Sequence, residues 1–338
     1  MTEQIHKKNT IIALDAMGGD HGPSVTIPAA IKSIKENKIP ILLVGDKTEV
    51  NYELEKYNPK DTALISIVPS TGVVNEDESP VLAYKSKPKA SIFVAAYLVK
   101  SGKASGLVSM GSTGASIAAS TVIYGTMSGV ERGALGGPII GYSPNSIIID
   151  LGTNVDTKPE QLLDFGALGS IMSKLIYKNE NPKIALLSVG KEKGKGNSLV
   201  KNTTNLLSNS DLNFVGNIEP EELLNNQVEV VLCDGFVGNI VLKLTESLGK
   251  RICDEITSEL GDTEISQKIT KSIFEKTNTL ESFGGGPLLG VKGVSIVGHG
   301  GSGINAISNA ISTAKYVIDS DLVNAQLKEL ERVRQTVK

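Results

Sequence analysis

The chain has 338 residues, 40% of them hydrophobic and 4% aromatic, with no Trp and a formal net charge of −3. That balance allows a sizeable core and argues against a generally basic nucleic-acid-binding surface or an aromatic base-stacking platform. Its two cysteines, Cys233 and Cys253, lie far apart, which argues against a disulfide framework or a thiolate zinc site and fits a reducing compartment.

The first ten residues, "MTEQIHKKNT", hold no apolar h-region, so no secretory leader is expected there. No apolar run reaches a membrane-spanning length without a charge or a glycine, so the expectation is a soluble chain that at most rests on a membrane surface. In chain order, apolar runs predict strands at Thr10–Leu14, Pro40–Gly45, Ala63–Val68, Gly106–Met110, Ser146–Leu151, Lys183–Val189, Asn213–Gly216, Glu229–Cys233 and Val294–Gly298. Most are continuous Val/Ile/Leu runs, the pattern of strands covered on both faces in a mainly parallel sheet. Helical patterns lie between them. In one, Leu162, Phe165, Leu168, Ile171, Met172 and Leu175 recur at helical spacing. The alternation predicts a doubly wound α/β architecture, taken as one catalytic domain over residues 1–338. It lapses across residues 240–282, where a projecting helical segment is expected. Asp319–Val337 reads as a final amphipathic helix.

Glycine-rich turns follow six of the predicted strands: "DAMGGDHGP", "GSTGAS", "LGTNVDTKP", "GKEKGKGNS", "DGFVGN" and "GHGGSG". In open α/β sheets ligands bind beyond the carboxyl ends of strands. Glycine lets backbone N–H groups approach a ligand, and a helix start beyond it favours an anion. The six turns together predict an anion-binding cleft. Gly298, Gly300 and Gly303 satisfy G-x-G-x-x-G, but no further strand follows to end in an acidic residue; Asp319 and Asp321 fall in the terminal helical region. The P-loop spacing fails because Gly196 follows Lys195. Lys191, Lys193 and Lys195 still make a loop that attracts anions, with Lys191 and Lys193 read as solvated. Cys233 with His299 reads either as a nucleophile–base pair or, for the cysteine, as a buried structural thiol.

The ordered string "LDAMGGDHGP", "SMGSTGAS", "DLGTNVDTKPEQL", "GKGNSL", "DGFVGNIVLK" and "GGGPLLGVKGVSIVGHGGS" resembles the bacterial phosphate acyltransferases that act on acyl-carrier-protein thioesters in phospholipid synthesis. The likeness runs from Ile11 to Ala314 and departs at Arg132-Gly133, where that family carries Arg-Pro. It implies the reaction of acyl–carrier protein with inorganic phosphate to give acyl phosphate and free carrier protein. It also implies a fold similar to the phosphotransacetylases and the isocitrate/isopropylmalate dehydrogenase-like enzymes, a homodimer, no metal or organic cofactor, and a cytoplasmic protein with peripheral membrane contact. The alternatives are a short-chain phosphotransacylase using coenzyme A, a metal- and NAD-dependent decarboxylating dehydrogenase, and a non-enzymatic carrier-protein or lipid-binding module.

That reaction needs a bound phosphate dianion held against a thioester carbonyl and a stabilised oxyanion, and it needs no covalent acyl-enzyme. Lys195 is the first catalytic candidate, with Asn239 and His299 beside it. Asn239 reads alternatively as a helix N-cap, and His299 as a residue that holds its loop. Gly111, Ser112, Thr113 and Gly114 are assigned to phosphate, and Asn154, Asp234, Gly238, Gly300 and Ser302 to the substrate cleft, with Asp156 beside Asn154. Asp234 is expected to orient its loop, and Ser302 to cap the next helix. Asp15 and Asp20 would repel phosphate if uncovered; they are expected to bond loop amides and Lys195 while Gly18 and Gly19 let the turn approach other loops. The rival is a divalent-metal site from Asp15, Asp20 and His21. An acidic carrier protein calls for a basic docking surface, for which Lys85, Lys87 and Lys89, or Lys191 with Lys193, are candidates. Ile252, Ile256, Leu260, Ile265, Ile269 and Ile273 form an apolar stripe suited to a dimer, a chain tunnel or a lipid surface.

Overall fold

The computed structural model describes residues 10–58 and 60–337. The segment expected to hold no leader lies, up to residue 9, outside the described residues. Among those described, the strands are β1 (Ile12–Asp15), β2 (Ile41–Gly45), β3 (Ile65–Pro69), β4 (Gly106–Ser109), β5 (Ala134–Gly137), β6 (Ile147–Ile149), β7 (Ile184–Leu187), β8 (Phe214–Ile218), β9 (Val230–Leu232), β10 (Gly286–Leu289) and β11 (Val294–Val297). The helices are α1 (Pro23–Asn37), α2 (Lys47–Leu54), α3 (Pro80–Ser86), α4 (Ser91–Lys100), α5 (Thr113–Ala119), α6 (Pro159–Ile176), α7 (Ser198–Ser208), α8 (Gly235–Leu260), α9 (Glu264–Thr277), α10 (Thr279–Ser282), α11 (Ile304–Asp319) and α12 (Leu322–Thr336).

The chain divides into two compact units. Unit 1 holds the chain up to Gly125, then Phe283–Pro287 and Val291–Asp319. Its strands run in the order β3-β2-β1-β4-β11, all parallel, with Gly286 and Pro287 of β10 antiparallel to β11. Every residue of β1, β4 and β11 is buried. Successive side chains of a strand point to opposite faces, so this burial requires cover on both, as the continuous apolar runs predict. Helices α1 and α11 pack on each other, and α4 lies against β1, β2 and β4.

Unit 2 holds Thr126–Ser282, Leu288–Gly290 and the chain from Ser320 onward. Leu288 and Leu289 pair antiparallel with β5, β5 pairs antiparallel with β6, and β6-β9-β7-β8 continue in parallel. Its helices start on recognisable signals. Pro159 opens α6, Asn197 caps α7 by accepting from Val200 N, and Asp234 caps α8 by accepting from Val237 N. The last helix, α12, is tied to α6: Arg334 grips both oxygens of Asp164 at 2.9 and 2.7 Å, and Lys174 reaches Glu329 at 3.3 Å.

The nine predicted strands are present, and the architecture is α/β with mainly parallel strands. Two more strands, β5 and β10, were not predicted. Their sequences, "ALGG" and "GPLL", carry the residues that ordinarily mark turns. Both pair antiparallel, and Gly136 explains why glycine stands there: a Cβ would sit 2.8 Å from Ile149 on β6. The helical segment starts at Gly235, ahead of the expected residue 240. It reverses between α8 and α9 at Gly261, where φ is 67°. The two helices meet closely at Gly249, whose Cβ would overlap Thr277 Oγ1 at 1.9 Å. No helix among the described residues is long and apolar enough to cross a membrane.

Candidate active site

In unit 1 three of the glycine turns meet. β1 ends in Asp15, 2% exposed, whose Oδ2 accepts from Ser109 Oγ at the end of β4 (2.8 Å) and whose Oδ1 accepts from Met17 N (3.3 Å). Ser109 Oγ in turn accepts from Gly111 N at 3.1 Å. Burial pushes the Asp15 carboxyl up from its ordinary value, and the nearby hydroxyls of Ser91 and Ser109 pull it back. Gly18 is the closest approach: a Cβ there would lie 2.8 Å from both Asp15 Oδ2 and Gly111 N. Asp20 N donates to Gly300 O (2.9 Å), which joins the third turn to the first. Gly19 allows this by taking φ of 88°, with Gly300 O only 2.9 Å from its missing Cβ.

The expected bonds from Asp15 to its own loop amides are therefore present, together with a partner that sequence reasoning missed, Ser109. Its signal was a serine at the carboxyl end of a buried strand. Ser112 accepts from Ala115 N at the start of α5, and Thr113 is exposed. Exposed His299 accepts from Gly301 N through Nδ1 (3.2 Å), which holds the loop and leaves Nε2–H free to donate. Ser302 does not cap α11. Gly303 O accepts the first helical bond, and the Ser302 hydroxyl is buried without a protein partner. Asp20 and His21 are exposed. No group of three or more His, Cys, Asp or Glu among the described residues is arranged to hold a metal ion.

In unit 2 the turn after β6 is built on Asp150, which sequence reasoning passed over. Its signal was an aspartate that ends an Ile-Ile-Ile run. It is wholly buried, and its oxygens accept four N–H bonds: Leu135 N (3.2 Å) and Thr153 N (3.1 Å) on one, Asn154 N (2.7 Å) and Asn154 Nδ2 (2.8 Å) on the other. Burial pushes its carboxyl up, and the donors from Thr153 and Asn154 oppose the shift. Asn154 does not line an open cleft: it is fully buried, and Nδ2 also donates to Gly133 O at 2.9 Å. Asp156 is exposed.

The start of α8 rests on this turn. Gly235 N donates to Asn154 O (2.7 Å), and a Cβ on Gly238 would fall 1.8 Å from Asp150 O. Asp234, not Asn239, is the N-cap, so Asp234 orients the loop as expected. Asn239 is one turn into α8 and exposed, with its Oδ1 3.4 Å from where a Cβ of Gly152 would be. Cys233 is buried beside Gly238, with burial pushing its thiol far up, which makes it a structural thiol and a poor nucleophile.

The third turn of unit 2 carries Lys195 between Gly194 (φ 102°) and Gly196 (φ 93°), immediately before the Asn197 cap of α7. Lys195 is exposed, and no carboxylate pairs with it among the described residues, whereas Lys191 is held by Glu222 at 3.1 Å. Of the lysines expected to form a docking surface in unit 1, Lys87 is bound to Glu78 at 2.6 Å.

The chain matches the family described as "Fatty acid synthesis protein" over residues 10–325. It is 38% identical over 329 residues to a phosphate acyltransferase of Clostridium kluyveri, covering 96% of this chain and 98% of that one. It is 40% identical over 325 residues to one of Desulforamulus reducens, covering 95% and 97%. Among solved structures it is similar in fold to a phosphotransacetylase from Streptococcus pyogenes (TM-score 0.61, 19% identity, 94% and 95% covered) and to a branched-chain phosphotransacylase from Enterococcus faecalis (TM-score 0.54, 14% identity, 91% and 98% covered). A 4-hydroxythreonine-4-phosphate dehydrogenase from Klebsiella pneumoniae shares the fold at a TM-score of 0.53 and 14% identity, with 92% and 100% covered. The family match over residues 10–325 and near-complete coverage at this identity place the chain in the phosphate acyltransferase family, as an acyltransferase of lipid biosynthesis.

Proposed function

We propose that the enzyme transfers a fatty acyl group from acyl carrier protein to inorganic phosphate by direct attack of phosphate on the thioester, releasing acyl phosphate and the carrier thiol for phospholipid synthesis. The observation that carries this reading is Lys195, an exposed ammonium with no carboxylate partner among the described residues, set between two glycines in left-handed conformations. A point charge so placed neutralises anions that develop as phosphate attacks. In unit 1 the amides of Gly111–Gly114 and the hydroxyls of Ser112 and Thr113 donate to phosphate, and His299 Nε2–H donates to the same anion or to the leaving sulfur. In unit 2 the exposed Asn239 amide donates to the thioester carbonyl oxygen as it becomes an oxyanion, and Asp234 fixes the turn that presents it. Gly238 and Gly300 admit backbone, and Asp15, Gly18, Gly19, Asp20 and Asn154 hold the turns in shape. No side chain forms a covalent bond to the acyl group, in keeping with the inert Cys233.

The apolar residues of α8 and α9 support pairing with a second copy and peripheral contact with the cytoplasmic membrane face. Ile252, Leu260, Ile265 and Ile269 are all exposed on the single chain. The docking reading for the acidic carrier protein keeps Lys85, Lys89 and Lys193, which have no ion-pair partner among the described residues.

Incubation with acyl–acyl carrier protein and labelled phosphate tests the reading. Labelled acyl phosphate is the expected product. Turnover with short acyl-coenzyme A alone would assign a phosphotransacylase instead, and a folded protein inactive with both would remove the enzymatic reading.

A further inference from the structure

Unit 2 contains a cavity of about 250 Å³ walled by Leu162, Leu186, Leu199, Val200, Val237 and Val241, between the ends of β7 and β9 and the helices α7 and α8. Its walls are almost wholly apolar. Asp234 lines it, but that carboxylate is spent on Val237 N at 2.8 Å. Ser188, directly after β7, and Asn197 are the remaining polar residues along it, and the Ser188 hydroxyl is closed off from solvent.

The rim is the Lys195 turn. Gly196 and Asn197 both line the cavity, and a Cβ on Gly196 would stand 3.0 Å from Ser188 Oγ and 2.7 Å from Val200 Cγ1. Glycine at 196 thus keeps the passage beside Ser188 open. The walls fit a ligand that is apolar along its length, and the rim fits one whose end is polar and becomes anionic.

We propose that this cavity takes the fatty acyl chain, and that Val241, Val200 and Leu199 set the chain length the enzyme prefers. The inference rests on the acyl-transfer reading above and adds the place of the chain to it. An apolar cavity of ~150 Å³ holds a benzene ring, so this one has room for on the order of ten carbons. Each methylene excluded from it lowers kcat/KM about fourfold.

The test compares hexadecanoyl- and butanoyl-acyl carrier protein as donors to phosphate. Val241→Phe, which fills the cavity, is expected to lower the long-to-short ratio of kcat/KM at least tenfold while butanoyl turnover stays within about threefold. Val241→Ala, which enlarges the cavity, shifts the ratio the other way. Unchanged ratios in both Val241 variants, with the parent enzyme active, would overturn the cavity assignment and leave the acyl-transfer reading standing. Should the parent enzyme fail to use either donor, that reading falls, and calorimetric binding of S-hexadecanoyl-pantetheine then judges the cavity alone. At least tenfold weaker binding to Val241→Phe supports it, and equal binding overturns it.

Discussion

Asp15 in unit 1 and Asp150 in unit 2 are the same device built twice. Each ends or follows a buried strand, each is almost free of solvent, and each accepts bonds from the turn it begins. They differ in their donors. Asp15 is met by a hydroxyl, which can rotate, and by one amide N–H, and Asp150 by four N–H groups, which cannot reverse their polarity. Lys195 is of another kind: it is exposed, and no carboxylate among the described residues pairs with it. The contrast separates two duties that look alike as letters: the buried charged groups shape turns, and the exposed one meets substrate.

The largest effect expected from that division is on Lys195. Lys195→Ala should lower kcat by about 10²–10³-fold, the range for losing one preorganised electrostatic contact in a transition state. Because the side chain packs on little, the thermal midpoint should stay within about 2 °C. Steady-state kinetics and a melting curve on the same preparation check both halves. Activity like the parent's removes Lys195 from the mechanism, and an unfolded variant erases the distinction between shaping and acting groups.

Next is the close approach that seats α8 on the Asp150 turn. A methyl on Gly238 would overlap Asp150 O at 1.8 Å, so Gly238→Ala must displace either the helix start or the turn. A loss of about 3 kcal/mol is expected, read from denaturant midpoints, with activity falling as well because Asn239 is the next residue.

Much of this was legible in the letters. Continuous apolar runs located nine strands, and the glycine turns after them located the six strand-end loops described above. What stayed hidden has definite causes. β5 and β10 carry glycine and proline because a neighbouring strand leaves no room for larger side chains, and that crowding is invisible along the chain. Asp150 lies beside two more obvious polar residues, and only its burial reveals that it organises them. Ser302 and Asn239 each sit near a helix start, yet the first-turn bonds go to Gly303 and Asp234. A shift of a few residues decides a cap, and composition does not resolve it.

The two carboxylates themselves can be set against each other. In Asp150→Asn, the new amide N–H₂ must face a backbone N–H whichever way it turns, at a cost of about 2–3 kcal/mol. In Asp15→Asn, Ser109 can rotate to accept from it, and the cost should be about 1 kcal/mol. Thermal midpoints of the two variants, measured side by side, give the order. Equal losses would mean that the rotating hydroxyl does not matter.

The smallest effect comes from a third carboxylate that inverts the pattern. Burial pushes Glu329 up, but hydrogen bonds from Arg332 at 2.8 Å and the charges of Lys174 and Arg332 outweigh it, so its carboxyl sits below the ordinary 4.5. Asp15 sits above its ordinary 3.8 because burial wins there. The signs are opposite. Glu329 contributes stability that is present above pH 4.5 and lost as pH falls through its depressed value, whereas the Asp15 contribution is full below pH 3.8 and lost as pH rises through its elevated one. Glu329→Gln should therefore cost about 1 kcal/mol at neutral pH, and the gap to the parent should close on acidification below pH 4.5. The Asp15→Asn deficit should narrow as pH rises from 3.8, because only the parent must ionise a buried carboxyl. Because each variant is compared with the parent at every pH, the two acid limbs can be read separately. A Glu329→Gln gap that stays constant down to pH 3 would mean that the link between α12 and α6 holds by packing and the Arg334–Asp164 pair alone.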